Sequence, residues 1–302
     1  MKGSPSPFEE SPTTMSSRVA VISGANRGIG RATAKGLARA GFETVLLCRT
    51  LEKSEATVEA LSAETRLERF LPAVAELTDP EAIDAAAREI LDRFGQVHLL
   101  VNNAGIVNPE YRETSEGIEE TLAVNHLGYV RLTSALLPGL LRGRGTRIVN
   151  VTSEAHAKTF DPSDFAGPKG WKRHRAYMQS KFLNLVFTFD LSRRLQGKRI
   201  AVNAVHPGLV ATRLLEGFVA PNPFLAPVRV LTRLMGTSEA KGARTSLRVA
   251  TDPILTGVTG EYFKKGERTS PPDESRDRAV QDRVRQWTAE VGGVDWSEGI
   301  EG

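Results

Sequence analysis

Short apolar runs alternate with helical stretches along most of this chain, and that alternation constrains its fold more than any other feature. Val19-Ala20-Val21-Ile22 is a largely β-branched run, a glycine-rich turn follows, and Gly30 to Ala40 reads as a helix ended by Gly41. The pattern recurs with Thr44 to Cys48 before Ser54 to Ala63, Phe70 to Ala75 before Pro80 to Phe94, and Val97 to Val101 before Glu116 to Leu141. Arg147 to Val151, a helix around Tyr177 to Leu195, and Ile200 to Val205 continue it. Helix starts are marked by Asp79-Pro80-Glu81, an N-cap with proline at the first helical position, and by Thr114-Ser115-Glu116. Near-continuous apolar strands separated by helices imply a parallel sheet buried on both faces, and right-handed crossovers make it doubly wound. The fold class is therefore α/β, with helices on both faces of one sheet.

At 302 residues the chain fits one such domain with one core. The expected limits are a disordered extension over 1–17, the domain over 18–290, and a C-terminal tail over 291–302. Two segments break the rhythm. Glu154 to Arg175 is polar, carries Pro162 and Pro168, and reads as a long loop; Leu214 to Gly236 is apolar with three prolines and reads as a substrate flap over 214–236. Ligands of open α/β sheets lie beyond the carboxyl ends of the strands, so both segments are expected to shape a small-molecule pocket. The flap also admits peripheral membrane contact.

Composition narrows the function classes. A formal charge of +4 with no lysine-rich tail or basic-aromatic stripe argues against nucleic acid as a partner. Cys48 is the only cysteine, which rules out an intramolecular disulfide and a cysteine-based zinc site; no metal is expected. It lies in the run Val45-Leu46-Leu47-Cys48 and reads as a small buried residue. No run of 18 apolar residues is present, and a cytoplasmic location with no transmembrane segment is expected.

Ser23-Gly24-Ala25-Asn26-Arg27-Gly28-Ile29-Gly30 joins the first strand to the first helix. Glycines there allow positive φ and close backbone approach, and a helix N-terminus offers N–H groups to a pyrophosphate, so this is a candidate dinucleotide site. The second strand ends in Arg49 where an NAD site places Asp or Glu; with Arg27 it points to the 2′-phosphate of NADP(H). Further along, Tyr177 and Lys181 stand four residues apart on one helical face. A lysine ammonium beside a phenol favours the phenolate, so the pair is a candidate for proton chemistry.

Taken in order, these residues resemble a short-chain dehydrogenase/reductase of Rossmann type over residues 18 to 290. The Ser23–Gly30 turn is similar to the family's glycine motif, and Asn102-Asn103-Ala104-Gly105 to the segment that steadies the sheet and lines the cofactor pocket with Asn103, Ala104 and Gly105. The resemblance implies that Asn125 holds a water touching the lysine, that Ser153 binds the substrate oxygen, that Tyr177 is the acid–base group and that Lys181 assists it. It further implies cofactor contacts by Glu76 and Leu77 near the adenine, and by Pro207, Gly208 and Thr212 beside the nicotinamide. Glu76 stands where the family usually has Asp. The 24-residue step from Ser153 to Tyr177, with Cys48-Arg49 and Gly260-Glu261-Tyr262-Phe263, is similar to the retinol dehydrogenase-like and WW-domain oxidoreductase-like branch. That branch implies NADP(H) and a lipophilic carbonyl or alcohol substrate, with a monomer or a homo-oligomer both open. His156 reads as a structural loop residue. The alternative functions are a non-catalytic NADP(H)-binding redox regulator, and an epimerase or dehydratase on the same fold.

Overall fold

Five of the apolar runs become strands buried along nearly their whole length, as a sheet covered on both faces requires. They are β1 (Val19–Ser23), β2 (Glu43–Cys48), β4 (Leu99–Asn102), β5 (Thr146–Val151) and β6 (Ile200–His206), with β3 (Phe70–Val74) at one edge. A computed structural model describes residues 17–208 and 238–300. Thr212, the 214–236 flap and the greater part of the 1–17 extension lie outside the described residues.

Among the described residues the sheet order is β3-β2-β1-β4-β5-β6-β7-β8. All pairings are parallel except the last, where β7 (Tyr262–Lys264) turns back on β8 (Glu267–Arg268). The chain winds outward from β1 to β3 and then returns to place β4 on the other side of β1. That reversal opens a crevice between the carboxyl ends of β1 and β4, where a doubly wound sheet binds its ligand.

Alternation along each strand assigns the faces. Ala20, Ile22, Leu46 and Val101 pack with Ala34 and Leu37 of α1 (Gly28–Arg39), Leu61 of α2 (Leu51–Thr65) and Val249 of α7 (Glu239–Thr251). Val19, Val21, Val45 and Leu100 face α3 (Pro80–Phe94), α5 (Gly128–Arg142), α6 (Arg173–Arg194) and α8 (Arg278–Gly292). The caps follow from local chemistry. Asp79 accepts from the Ala82 amide at 3.2 Å with Pro80 next in line, while Gly95 closes α3 at φ 68°.

Three expectations are corrected. The helix set at Glu116 begins at Glu120, because Thr114 spends its hydroxyl on the Glu116 and Ile118 amides in a local turn, and Glu119 caps Leu122 at 2.7 Å instead. That helix is not regular: α4 (Glu120–Leu122) passes through a π-turn over Ala123–Leu127 before α5. The 154–175 segment is, as expected, a long loop up to the helix start at Arg173, and it is anchored through its middle, since Phe160 and Phe165 are buried against Trp287 of α8, with ring centroids 5.2 and 5.9 Å away. The segment expected to be a C-terminal tail belongs to the core: Trp296 and Ile300 are buried, and the Trp296 indole donates to Asp190 Oδ2 at 2.8 Å.

His126, in the π-turn, is buried between α6 and α8. Its Nδ1 lies 3.2 Å from Asn184 Oδ1, its Nε2 lies 3.1 Å from Thr288 Oγ1, and the Trp296 ring meets it edge-on. Burial lowers its pKa to about 4 from the ordinary 6.5. Between those values the unfolded chain binds the extra proton and the folded chain does not, so stability is lost as pH falls from about 6.5 to about 4. The thermal midpoint is expected to drop over that window, and His126→Gln is expected to flatten the drop. An equally steep acid limb in that variant would remove His126 as the cause.

Candidate functional site

The turn after β1 is shaped by two glycines. Gly24 sits at φ 68°, and a Cβ on Gly30 would lie 2.2 Å from the Gly24 carbonyl oxygen and 2.5 Å from Asn103 Nδ2, so no side chain fits there. Ser23 and Asn103 lock this turn to the end of β4. The Ser23 hydroxyl accepts from the Asn103 and Ala104 amides at 3.0 and 3.2 Å, and Asn103 Nδ2 donates to the Ser23 carbonyl at 2.9 Å. No side chain caps α1 at Arg27, so the first-turn N–H groups of Gly28, Ile29 and Gly30 face outward with the positive end of the helix dipole. An anionic pyrophosphate fits that cradle.

A cavity of about 520 Å³ opens from the turn. Ser23, Gly24, Asn26, Arg27, Cys48, Arg49, Glu76, Leu77, Ala104 and Gly105 all line it, which brings ten of the sequence-derived cofactor candidates and neighbours to one wall. Cys48 is buried and burial pushes its thiol pKa up, in keeping with an inert wall residue. Glu76 Oε2 lies 3.9 Å from Arg49 Nε, so the carboxylate lies beside the guanidinium. Lys53 also lines the cavity and was not singled out from the sequence. Its signal was available: it follows the Thr50 cap of α2, whose hydroxyl accepts from the Lys53 amide at 3.4 Å. Arg27, Arg49 and Lys53 thus place three cations on one cavity.

The proton-handling candidates meet behind Gly105. Tyr177 and Lys181, one turn apart on α6, are both buried. The Ser153 hydroxyl, two residues past β5, accepts from the Ala155 amide at 3.1 Å and lies near enough to the Tyr177 phenol to favour its ionised form. The Lys181 ammonium lies between two rings, 5.6 Å from the Tyr177 centroid and 5.4 Å from that of Tyr129, and donates to the Val151 carbonyl at 3.3 Å. Tyr129 is a second residue that sequence reasoning missed. Its hydroxyl bridges the Ala104 and Val151 carbonyls at 2.9 and 3.2 Å, tying the ends of β4 and β5 together beneath the lysine.

Asn125 occupies the π-turn, a backbone form that recurs where function requires a re-aimed side chain. Its Oδ1 accepts from the Ile106 amide at 2.7 Å, and its Nδ2 donates to the Ile106 carbonyl at 3.0 Å and to Ser180 Oγ at 3.1 Å. Asn184 donates to the Asn125 carbonyl at 2.8 Å. The side chain is thereby engaged in holding the loop after β4. A Cβ on Gly105 would stand 3.5 Å from both Asn125 Oδ1 and Lys181 Nζ, so Gly105 is the gap through which these groups approach the cavity. Pro207 and Gly208 follow β6 at the same sheet end, with Gly208 at φ 86°.

The electrostatics reverse one expectation. Burial raises the Tyr177 phenol to about 12, a rise the Ser153 hydroxyl only partly offsets, and burial lowers Lys181 to about 7. The lysine does not bring the phenol to neutrality here because its ammonium lies over the ring face and points to Val151, while both groups have lost water. Among the described residues no cluster of His, Cys, Asp and Glu is placed to hold a metal ion, and no helix is long and apolar enough to cross a membrane.

A doubly wound sheet with a glycine cradle at its crevice and a Ser–Tyr–Lys cluster beside it defines a dehydrogenase class, and the chain belongs to the short chain dehydrogenase family, whose model matches residues 18–222. Within the family it is similar to retinol dehydrogenase 12 of Bos taurus, at 35% identity over 92% of this chain and 87% of the relative. It is also similar to human retinol dehydrogenase 13, at 33% identity over 94% and 87%. Among solved structures it resembles an uncharacterised protein from Mycobacterium paratuberculosis, with a TM-score of 0.72, 26% identity, and 92% and 94% of the two chains covered.

Proposed function

We propose that the protein is an NADP(H)-dependent oxidoreductase that interconverts a carbonyl and an alcohol on a lipophilic small molecule, with Tyr177 as the acid–base group. The observation that carries this reading is the grouping of Ser153 and Lys181 about the buried Tyr177, one residue's depth from the glycine-turn cavity. The relatives named for retinol, a lipophilic alcohol, support the substrate class.

The cofactor would lie against Gly24 to Gly30, Ala104 and Gly105 and would supply or take the hydride. The remaining work belongs to the side chains. Ser153 and Tyr177 hold the substrate oxygen from two sides, stabilising the charge that develops there. In reduction Tyr177 donates its proton; a phenol raised to about 12 stays protonated at neutral pH, and an alkoxide is a far stronger base than phenolate. In the reverse step the same residue, as phenolate, accepts the alcohol proton. Lys181 holds positive charge between the two rings, and Asn125 fixes the loop that carries Gly105 and offers its backbone carbonyl to a proton relay. A redox regulator without turnover would not need the Ser153–Tyr177 grouping.

NADPH is the proposed form because Arg27, Arg49 and Lys53 face one cavity and no carboxylate ends β2. Arg49→Asp is expected to shift the ratio of NADPH to NADH use by about 10- to 100-fold toward NADH, the worth of one charged hydrogen bond. Steady-state rates with both cofactors measure it; an unchanged ratio would remove Arg49 from 2′-phosphate recognition.

A further inference from the structure

Ser153 lies beyond the last rung of its strand. The β5–β6 ladder ends where the Thr152 amide donates to the Val205 carbonyl at 2.8 Å, so backbone pairing leaves the next peptide plane free to pivot. That plane, between Ser153 and Glu154, is nevertheless held at both of its polar ends by side chains from the two following strands. The Tyr262 hydroxyl of β7 donates to the Ser153 carbonyl at 3.3 Å, and the Glu154 amide donates to His206 Nδ1 at the end of β6 at 3.1 Å. Both side chains are buried.

The clamp is itself braced. His206 and Lys264 are register partners across β6 and β7. The Glu154 carboxylate reaches both, with Oε2 3.6 Å from His206 Nε2 and Oε1 in an ion pair with Lys264. Because Nδ1 accepts from the Glu154 amide, the ring proton of neutral His206 sits on Nε2, facing that carboxylate. Edge-on contact with His156, at 6.3 Å between centroids, steadies the Tyr262 ring. The Ser153 Cα is bonded to this peptide plane, so anchoring both polar ends of the plane limits how far that Cα, and the hydroxyl it carries, can shift from Tyr177.

We propose that His206 and Tyr262 are positioning residues for Ser153, gripping the Ser153–Glu154 peptide from its two ends so that the serine hydroxyl stays on the Tyr177 phenol. This rests on the carbonyl-reductase reading for its catalytic consequence but not for the clamp itself. A misplacement of the order of an ångström in a reacting constellation costs up to about 100-fold in rate.

The test is a double-mutant cycle with an exchange measurement. His206→Leu and Tyr262→Phe are each expected to lower kcat of carbonyl reduction about tenfold while NADPH affinity holds, the mark of lost positioning rather than lost binding. His206→Asn, whose Oδ1 can replace Nδ1 as the acceptor, is expected to recover most of the loss. In a Ser153→Ala background neither substitution should cost anything further, because the group they position is gone. Equal losses in both backgrounds would overturn the proposal, leaving only general packing. Independently of turnover, the Glu154 amide should exchange slowly with solvent in the wild type and fast in His206→Leu; equal exchange would overturn the clamp. If the wild type reduces no carbonyl, the functional reading fails while the Glu154 exchange result still decides the clamp.

Discussion

Tyr177→Phe is expected to lower kcat of carbonyl reduction by about 10²- to 10⁴-fold, the span a positioned general acid supplies. The substitution removes one oxygen and leaves the buried ring, so the Lys181 ammonium keeps its place over that face and the fold stays intact. NADPH affinity should change by less than about tenfold, because at most one hydrogen bond to the cofactor is lost. Stopped-flow hydride transfer and a fluorescence titration separate the two quantities. A variant with near-normal kcat would move the proton role to another group, with the neighbouring Ser153 hydroxyl the first candidate.

Lys181→Met carries the second large effect. Burial sets the Lys181 pKa to about 7, so the side chain is a cation below that value and neutral above it. Tyr177, at about 12, stays protonated through the same range. If reduction needs the cation, kcat/KM, which reports the free enzyme, should be high below pH 7 and fall as the pH rises through it. Lys181→Met should lose about 10²- to 10³-fold in kcat/KM, as removal of one preorganised charged donor does, and should abolish the inflection near pH 7. A variant that kept the inflection would assign it elsewhere; His206, lowered to about 4, lies too far down the scale to supply it.

The sheet was legible because burial on both faces writes itself into sequence. β1 and β6 are buried at every position, and their apolar runs read directly as strands. The glycine turn was legible for the same kind of reason, since a Cβ at Gly30 has nowhere to go. What escaped depends on partners far away in the chain. The strand β7 has only three residues, too few for a periodic signal, yet it supplies Tyr262 and Lys264. Trp296 reads as a tail residue until α6 offers Asp190 to its indole. The π-turn at Asn125 has no compositional mark, and Tyr129 matters because strand ends from β4 and β5 meet at its hydroxyl. The proton chemistry was only half legible: spacing placed Tyr177 beside Lys181, but the direction of both pKa shifts follows from burial and from where the ammonium points.

Carbonyl reduction with NADPH at this site can be measured directly. The direct measurement is the decay of NADPH absorbance by the purified full chain across a panel of lipophilic aldehydes and ketones, repeated with NADH. Substrate-dependent NADPH consumption, faster than with NADH and absent in Tyr177→Phe, is the result expected. Tight NADPH binding with no consumption over the whole panel would contradict it and leave a cofactor-binding protein without this chemistry.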